Sequence, residues 1–189
     1  DALRLKAAGQ RAIFLSLENS YSLGRDPANV EKFFRLGVRM LGLTHSLNND
    51  LADSSTDPRG AEWGGLSPIG REVVAECNRL GVVLDASHAS DGVLRELLDR
   101  STAPVILSHS DCRALCDHPR NVGDELLRAL AAKGGVIQIN ALPISLVNAP
   151  GNRRTAAGAE MLLRYKDAVV SPEMMAAESR DYAQIAAAH

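Results

Sequence analysis

The chain has 189 residues, 46% of them hydrophobic and 23% charged, a balance that fits one ordinary folded domain and excludes a fibrous or disordered polymer. A formal net charge of −2 with no cluster of Lys and Arg gives no basis for a nucleic-acid partner or an anionic membrane surface; "NRRT" at 152–155 reads as a solvated loop. No run of eighteen apolar residues exists, so no transmembrane segment is expected within the chain, and its start at Asp1 shows no signal-type segment, which leaves the compartment open.

In chain order, "AIFLSLE" (12–18) reads as a strand and "PANVEKFFRLG" (27–37) as a helix with Pro27 at its first position. "RMLGLTH" (39–45) is a second strand, followed by a loop rich in Asn, Asp, Ser and Gly from 46 to 66. Ser67 then caps a helix with Pro68 at its first position, Val73, Val74, Cys77 and Leu80 on one face, and Gly81 at its end. "VVLDAS" is a strand, Ser90 caps a helix carrying Val93, Leu94, Leu97 and Leu98, and "PVILS" is the next strand. Cys112 and Cys116 fall in what reads as a short helix; with Cys77 they make three cysteines and no CxxC, hence buried or half-buried thiols rather than a disulfide framework. A helix over 123–133, with Leu126, Leu127 and Leu130 inward, leads through Gly134 and Gly135 to the strand "VIQIN". From Ala141 a loop gives way to two helical stretches at about 156–168 and 172–188.

Continuous apolar strands alternating with amphipathic helices imply an α/β protein with a parallel sheet, either doubly wound or closed. The expectation is a (β/α)8 TIM-type barrel. No Gly-rich phosphate loop follows the first strand, and Glu18, His45, His88, His109 and Asn140 all terminate apolar runs, where a barrel gathers its catalytic residues.

His88 in "LDASHAS" and His109 in "VILSHSD" end two successive strands at equivalent positions. Parallel neighbours lie about 4.8 Å apart, so both imidazoles can reach one ion at about 2.1 Å, and neutral imidazole suits zinc. Glu18 supplies a carboxylate to complete the shell or bridge two metals, or else pairs with an Arg. His45 is a further ligand or a substrate donor. Asp85 either fixes an imidazole tautomer or contacts solvent. Trp63 is a lid or packing residue, and His118 and His189 read as surface histidines. Ser87 and Ser108 precede histidines, but without a GxSxG elbow a serine hydrolase is not indicated.

Three blocks, "FFRLGVRMLGLTHSLNNDLADS", "GREVVAECNRLGVVLDASHASDGVLRELL" and "APVILSHSDCRALCDHPRNVGDELLRALAAKGGVIQIN", together resemble the membrane (renal) dipeptidases, amidohydrolase-superfamily metallopeptidases. The resemblance implies two zinc ions, with Glu18 as the bridging carboxylate and His88 and His109 as ligands of the second zinc. It further implies His45 orienting the substrate or tetrahedral intermediate, Arg120 in "HPRN" contacting the substrate, and Asn140 among the substrate-binding positions. A metal-bridging hydroxide would attack the carbonyl of a dipeptide, and a homodimer and an exported location rather than a cytoplasmic one would accompany that reading.

The family's first metal site also uses a His-x-Asp pair on the first strand, which is expected to be missing from this sequence altogether, and its proton-handling Asp belongs on a last strand beyond the C-terminal helices. Residues 1–189 therefore read as a single catalytic barrel domain, about strands three to seven of a larger one and incomplete at both ends. Glu18 is followed by Asn-Ser where the family usually has Gly-Gly, and "NALP" replaces an aromatic pair. Two alternatives stay open: a related amidohydrolase acting on another amide or a lactone, and a metal-free relative serving as a binding or structural protein.

Overall fold

The structure, a computed structural model, describes residues 2–146. A helix α1 (Ala2–Ala7) precedes five strands, β1 (Leu15–Leu17), β2 (Val38–Gly42), β3 (Val83–Asp85), β4 (Ile106–Leu107) and β5 (Val136–Ile137). All pair in parallel, in the order in which they occur along the chain. The crossovers carry α2 (Asn29–Arg35), α3 (Pro68–Leu80), α4 (Asp91–Arg100) and α5 (Asp124–Ala132). Antiparallel pairing could have used tight hairpins, whereas each of these connections needs a helix-length return, which the amphipathic segments provide.

Local sequence sets the helix ends. The Ser67 hydroxyl accepts the Gly70 N–H at 3.0 Å, Pro68 occupies the first helical position, and Gly81 closes α3 in the left-handed region at φ 73°. Ser90 caps α4 by accepting the Val93 N–H. The inward faces are those the pattern gives: Val73, Val74 and Cys77 of α3, Val93, Leu94, Leu97 and Leu98 of α4, and Leu126 and Leu130 of α5 are buried in one core with Leu41, Leu84 and Leu107 of the sheet.

Several expected boundaries differ. The strands are shorter than their apolar runs because ladder pairing lasts only two to five residues. Beyond it, single bonds carry the sheet on, from the Ala86 N–H to the Ile106 carbonyl and from the Gln138 N–H to the Leu107 carbonyl, both at 2.8 Å, as twisted strands diverge. Pro27 lies in a turn ahead of α2 rather than at its first position. Cys112 and Cys116 span one turn, the Cys116 N–H meeting the Cys112 carbonyl, and no helix forms there. A 3-10 turn (Ser20–Leu23) follows β1, α6 (Pro143–Leu146) occupies a segment expected to be loop, and the two expected C-terminal helices, His189 and the "NRRT" loop lie outside the described residues.

The 46–66 loop is long, and its backbone groups are satisfied by its own polar side chains. Asp53, fully buried, accepts the N–H groups of Glu62 (2.8 Å), Trp63 (3.0 Å) and Gly65 (2.9 Å). Asn49 accepts from Leu51 and Ala52, and the Trp63 indole N–H donates to the Asn49 carbonyl. Glu96 of α4 fastens the loop's end by accepting the Leu66 N–H while paired with Arg71 and Arg100.

Two measurements check this account. A methyl at Gly70 overlaps the Leu51 carbonyl oxygen, which also accepts the Ser67 N–H. Gly70→Ala is expected to destabilise by about 1–3 kcal/mol in urea unfolding, whereas the exposed Glu72→Ala on the same helix should leave the midpoint nearly unchanged. Arg71, followed by the Leu66 N–H and Arg100, holds the Glu96 carboxyl down to about 2 from its ordinary 4.5. A depressed folded pKa makes the contribution complete above the ordinary value and lost as pH falls towards about 2. The fall in unfolding midpoint across that acid window should be shallower in Glu96→Gln than in the parent.

Candidate metal centre and its surroundings

The carboxyl ends of β1, β3 and β4 bring together three side chains of types that ligate metals. Glu18 follows β1 directly, His88 stands three residues past β3 and His109 two past β4. Glu18 Oε1 lies 3.2 Å from His88 Nε2 and 3.1 Å from His109 Nε2, and the two Nε2 atoms are 2.9 Å apart. They are the single set of three converging His, Cys, Asp or Glu donors among the described residues.

Neutral imidazole is what a metal needs, and the environment of His88 enforces it. Burial first, then the charge of Arg120 and the repulsion that the His45 and His109 rings would add if protonated, holds the His88 imidazole down to about 2, so its contact with Glu18 at neutral pH is not an ion pair. Its Nδ1 is buried with no partner among the described residues. The donor set fits a zinc-like ion: bonds of about 2.0–2.1 Å in a tetrahedron place ligand atoms roughly 3.3 Å apart, close to the three observed edges. Two imidazole nitrogens and one carboxylate oxygen are also the ligand types such an ion takes. No Arg pairs with Glu18 among the described residues; its side chain, 49% exposed, turns to the two imidazoles.

His88 has φ 69°, a left-handed conformation that few non-glycine residues adopt. The 46–66 loop holds it there: its carbonyl accepts the Ser55 N–H at 2.8 Å, and Ser54 forms an antiparallel bridge with Ala89. Strain of this kind persists where surrounding contacts over-determine it.

His45 is exposed and its ring lies over His88, centroids 4.1 Å apart, with Nδ1 hydrogen-bonded to the Ser46 hydroxyl. Arg120 reaches the same place from the loop after β4, donating Nη2–H to the His109 carbonyl at 2.9 Å. Burial lowers its pKa, opposed by the carboxylates of Asp85, Glu18 and Asp111; a guanidinium stays charged regardless. His118 is buried rather than on the surface, because its Nδ1 accepts the Arg120 backbone N–H and fixes the turn that carries Arg120.

Asn140 donates its backbone N–H to Asp111, whose carboxylate also receives the Ser145 hydroxyl at 2.7 Å. β4 and β5 pair Ile106 with Val136, so the position level with His109 is Ile139, and Asn140 stands one residue further on. His109-Ser110-Asp111 is a His-x-Asp triplet in sequence, but Asp111 faces Asn140 and Ser145 rather than Glu18. Trp63 is 39% exposed and packs through its indole N–H, as described. The sequence pattern raised Ser87 and Ser108 only as nucleophiles, whereas they bond to one another and to His109; the signal for that role was the dipeptide Ser-His, repeated at both strand ends.

Imidazole and carboxylate donors gathered at the carboxyl ends of consecutive parallel strands are the plan of a metal-site barrel. Residues 1–180 match the family model for membrane dipeptidase (peptidase family M19), and the chain belongs to that family. It is 41% identical over 143 residues to dipeptidase tcpJ of Claviceps purpurea, covering 76% of this chain and 33% of that protein. Human dipeptidase 3 is 39% identical over 138 residues, covering 71% and 28%. The crystal structure of the probable dipeptidase PvdM from Pseudomonas aeruginosa superposes with a TM-score of 0.76 at 31% identity, over 97% of this chain and 51% of that one. A Rhodobacter sphaeroides metallo peptidase liganded with a phosphinate mimic of the dipeptide L-Ala-D-Ala gives a TM-score of 0.66 at 28% identity, over 73% and 41%. The chain thus spans about a third of the length of the curated relatives it matches. The family fold is the TIM-type barrel, and the five described strands form one continuous arc of it.

Asn19, which stands where a Gly was expected after Glu18, has φ 57° and accepts from the Asn49 amide at 3.2 Å. Left-handed backbone costs an ordinary residue about 1–2 kcal/mol. Asn19→Ala should therefore lower stability by about 1 kcal/mol in urea unfolding, and Asn19→Gly by less.

Proposed function

We propose that the whole protein is a zinc-dependent dipeptidase, with Glu18, His88 and His109 holding metal at the carboxyl face of the sheet. The observation that carries this reading is the convergence of those three donors within 2.9–3.2 Å of one another. The relatives' names support dipeptide hydrolysis, and the ligand of the Rhodobacter sphaeroides neighbour supports acceptance of a D-configured C-terminal residue. The second oxygen of Glu18 suits it to bridge two ions.

When bound, zinc supplies an acidified water and a polarised carbonyl. The remaining work falls to the chain. His45, exposed over His88, meets the substrate carbonyl and donates to its oxygen as negative charge develops. Arg120, anchored on the His109 carbonyl, offers its remaining guanidinium N–H groups to the substrate. His88, kept neutral by burial and the Arg120 guanidinium, stays a ligand and takes no part in moving protons at neutral pH.

Zinc per chain by elemental analysis, together with L-Ala-D-Ala and L-Ala-L-Ala hydrolysis, tests this on the whole protein. About two zinc ions are expected, with Glu18→Gln, His88→Asn and His109→Ala each lowering zinc content and reducing turnover more than about 100-fold. A folded whole protein that holds no zinc and cleaves neither dipeptide overturns the reading.

A further inference from the structure

The Ser108 hydroxyl has three partners: Asp85 Oδ2 at short range, His109 Nδ1 at 2.8 Å and Ser87 Oγ at 3.3 Å. A hydroxyl carries one proton and two lone pairs, and an aspartate carboxylate has no proton to give. The Ser108 proton therefore goes to Asp85, and the oxygen must accept from both other partners. Ser87 can donate, because its oxygen is already taken by the His109 backbone N–H at 3.0 Å. A neutral His109 can donate only if its ring proton sits on Nδ1. Every hydrogen then points one way along the network, and Nε2 is left with its lone pair directed at Glu18 and His88.

We propose that Asp85, acting through Ser108, is a positioning residue that locks His109 in the Nδ1–H tautomer and so presents a preformed ligand. A free histidine side chain in water favours the opposite, Nε2–H, form, so the lock has something to overcome. The inference rests on the metal-centre reading only for the use of the lone pair; the tautomer itself does not depend on it.

Asp85 also fixes what an amide would do in its place. Its Oδ1 accepts the backbone N–H groups of Ser87 at 2.9 Å and Ser108 at 3.0 Å. In Asp85→Asn those two donors keep the amide oxygen, and the NH2 group is turned to Ser108. The Ser108 hydroxyl then accepts from the amide and donates to His109 Nδ1, which drives the ring proton onto Nε2. An isosteric substitution thereby reverses the network, whereas Ser108→Ala only removes it.

The test combines long-range proton–nitrogen spectra of the histidine-labelled, chelator-stripped whole protein with zinc affinity by chelator competition. The parent should show Nδ1–H at His109, and Asp85→Asn should show Nε2–H. Zinc affinity should fall about 10- to 100-fold in Ser108→Ala and further in Asp85→Asn. The double variant should return to the Ser108→Ala level, since without the hydroxyl the amide has nothing to reverse; a merely structural role would make the two losses add. Nε2–H at His109 in the parent, or additive losses, overturns the proposal. A parent that binds no zinc counts against the proposed function, and the spectra then decide the tautomer alone.

Discussion

Gly42 pairs with Asp85, and Asp85 with Ile106, in parallel register. Carried three residues past those pairs, the same offsets bring His45, His88 and His109 level, which is why their rings meet with centroids 4.1 and 4.9 Å apart. Parallel pairing is thus the constraint on which the site depends, since strands about 4.8 Å apart deliver side chains to one place only if no residue slips. Glu18 joins from β1, where the pairing with β2 shifts between Leu15 and Ser16 and lets a longer side chain reach in from lower down.

That register also stacks polar backbone at the strand ends, where the next strand supplies no partner. The serine before each histidine bonds across the strand boundary: Ser87 meets this need by accepting the His109 N–H, and the Ser108 hydroxyl donates to the Asp85 carboxylate. The repeated Ser-His pair is therefore one device used twice. Its first half satisfies backbone and hydroxyls while its second half presents a ligand.

Much of this was legible in the sequence because it is local. Ser67, Pro68 and Gly81 announce α3, the apolar periodicity gives the buried faces, and two histidines at matching strand ends announce the place where Glu18, His88 and His109 converge. What stayed hidden joins residues far apart in sequence or in unusual backbone. The Asp53 carboxylate tying Glu62, Trp63 and Gly65 leaves no periodic trace, nor does the burial of His118 beneath the Arg120 turn. Strand lengths were overestimated because an apolar run records burial, and burial outlasts ladder pairing where strands diverge. The shared ring contacts of His45 emerge only once the register is known.

The three donors of the centre come from strands whose sequence positions run from 18 to 109, so the unfolded chain has no equivalent arrangement of them. An ion that recognises them binds the assembled sheet alone, and its free concentration becomes a term in the folding equilibrium. Each tenfold excess over the dissociation constant adds about 1.4 kcal/mol to the native state. Such an ion would clamp β1, β3 and β4 at once, and the sheet's resistance to unfolding would follow the supply of metal around it.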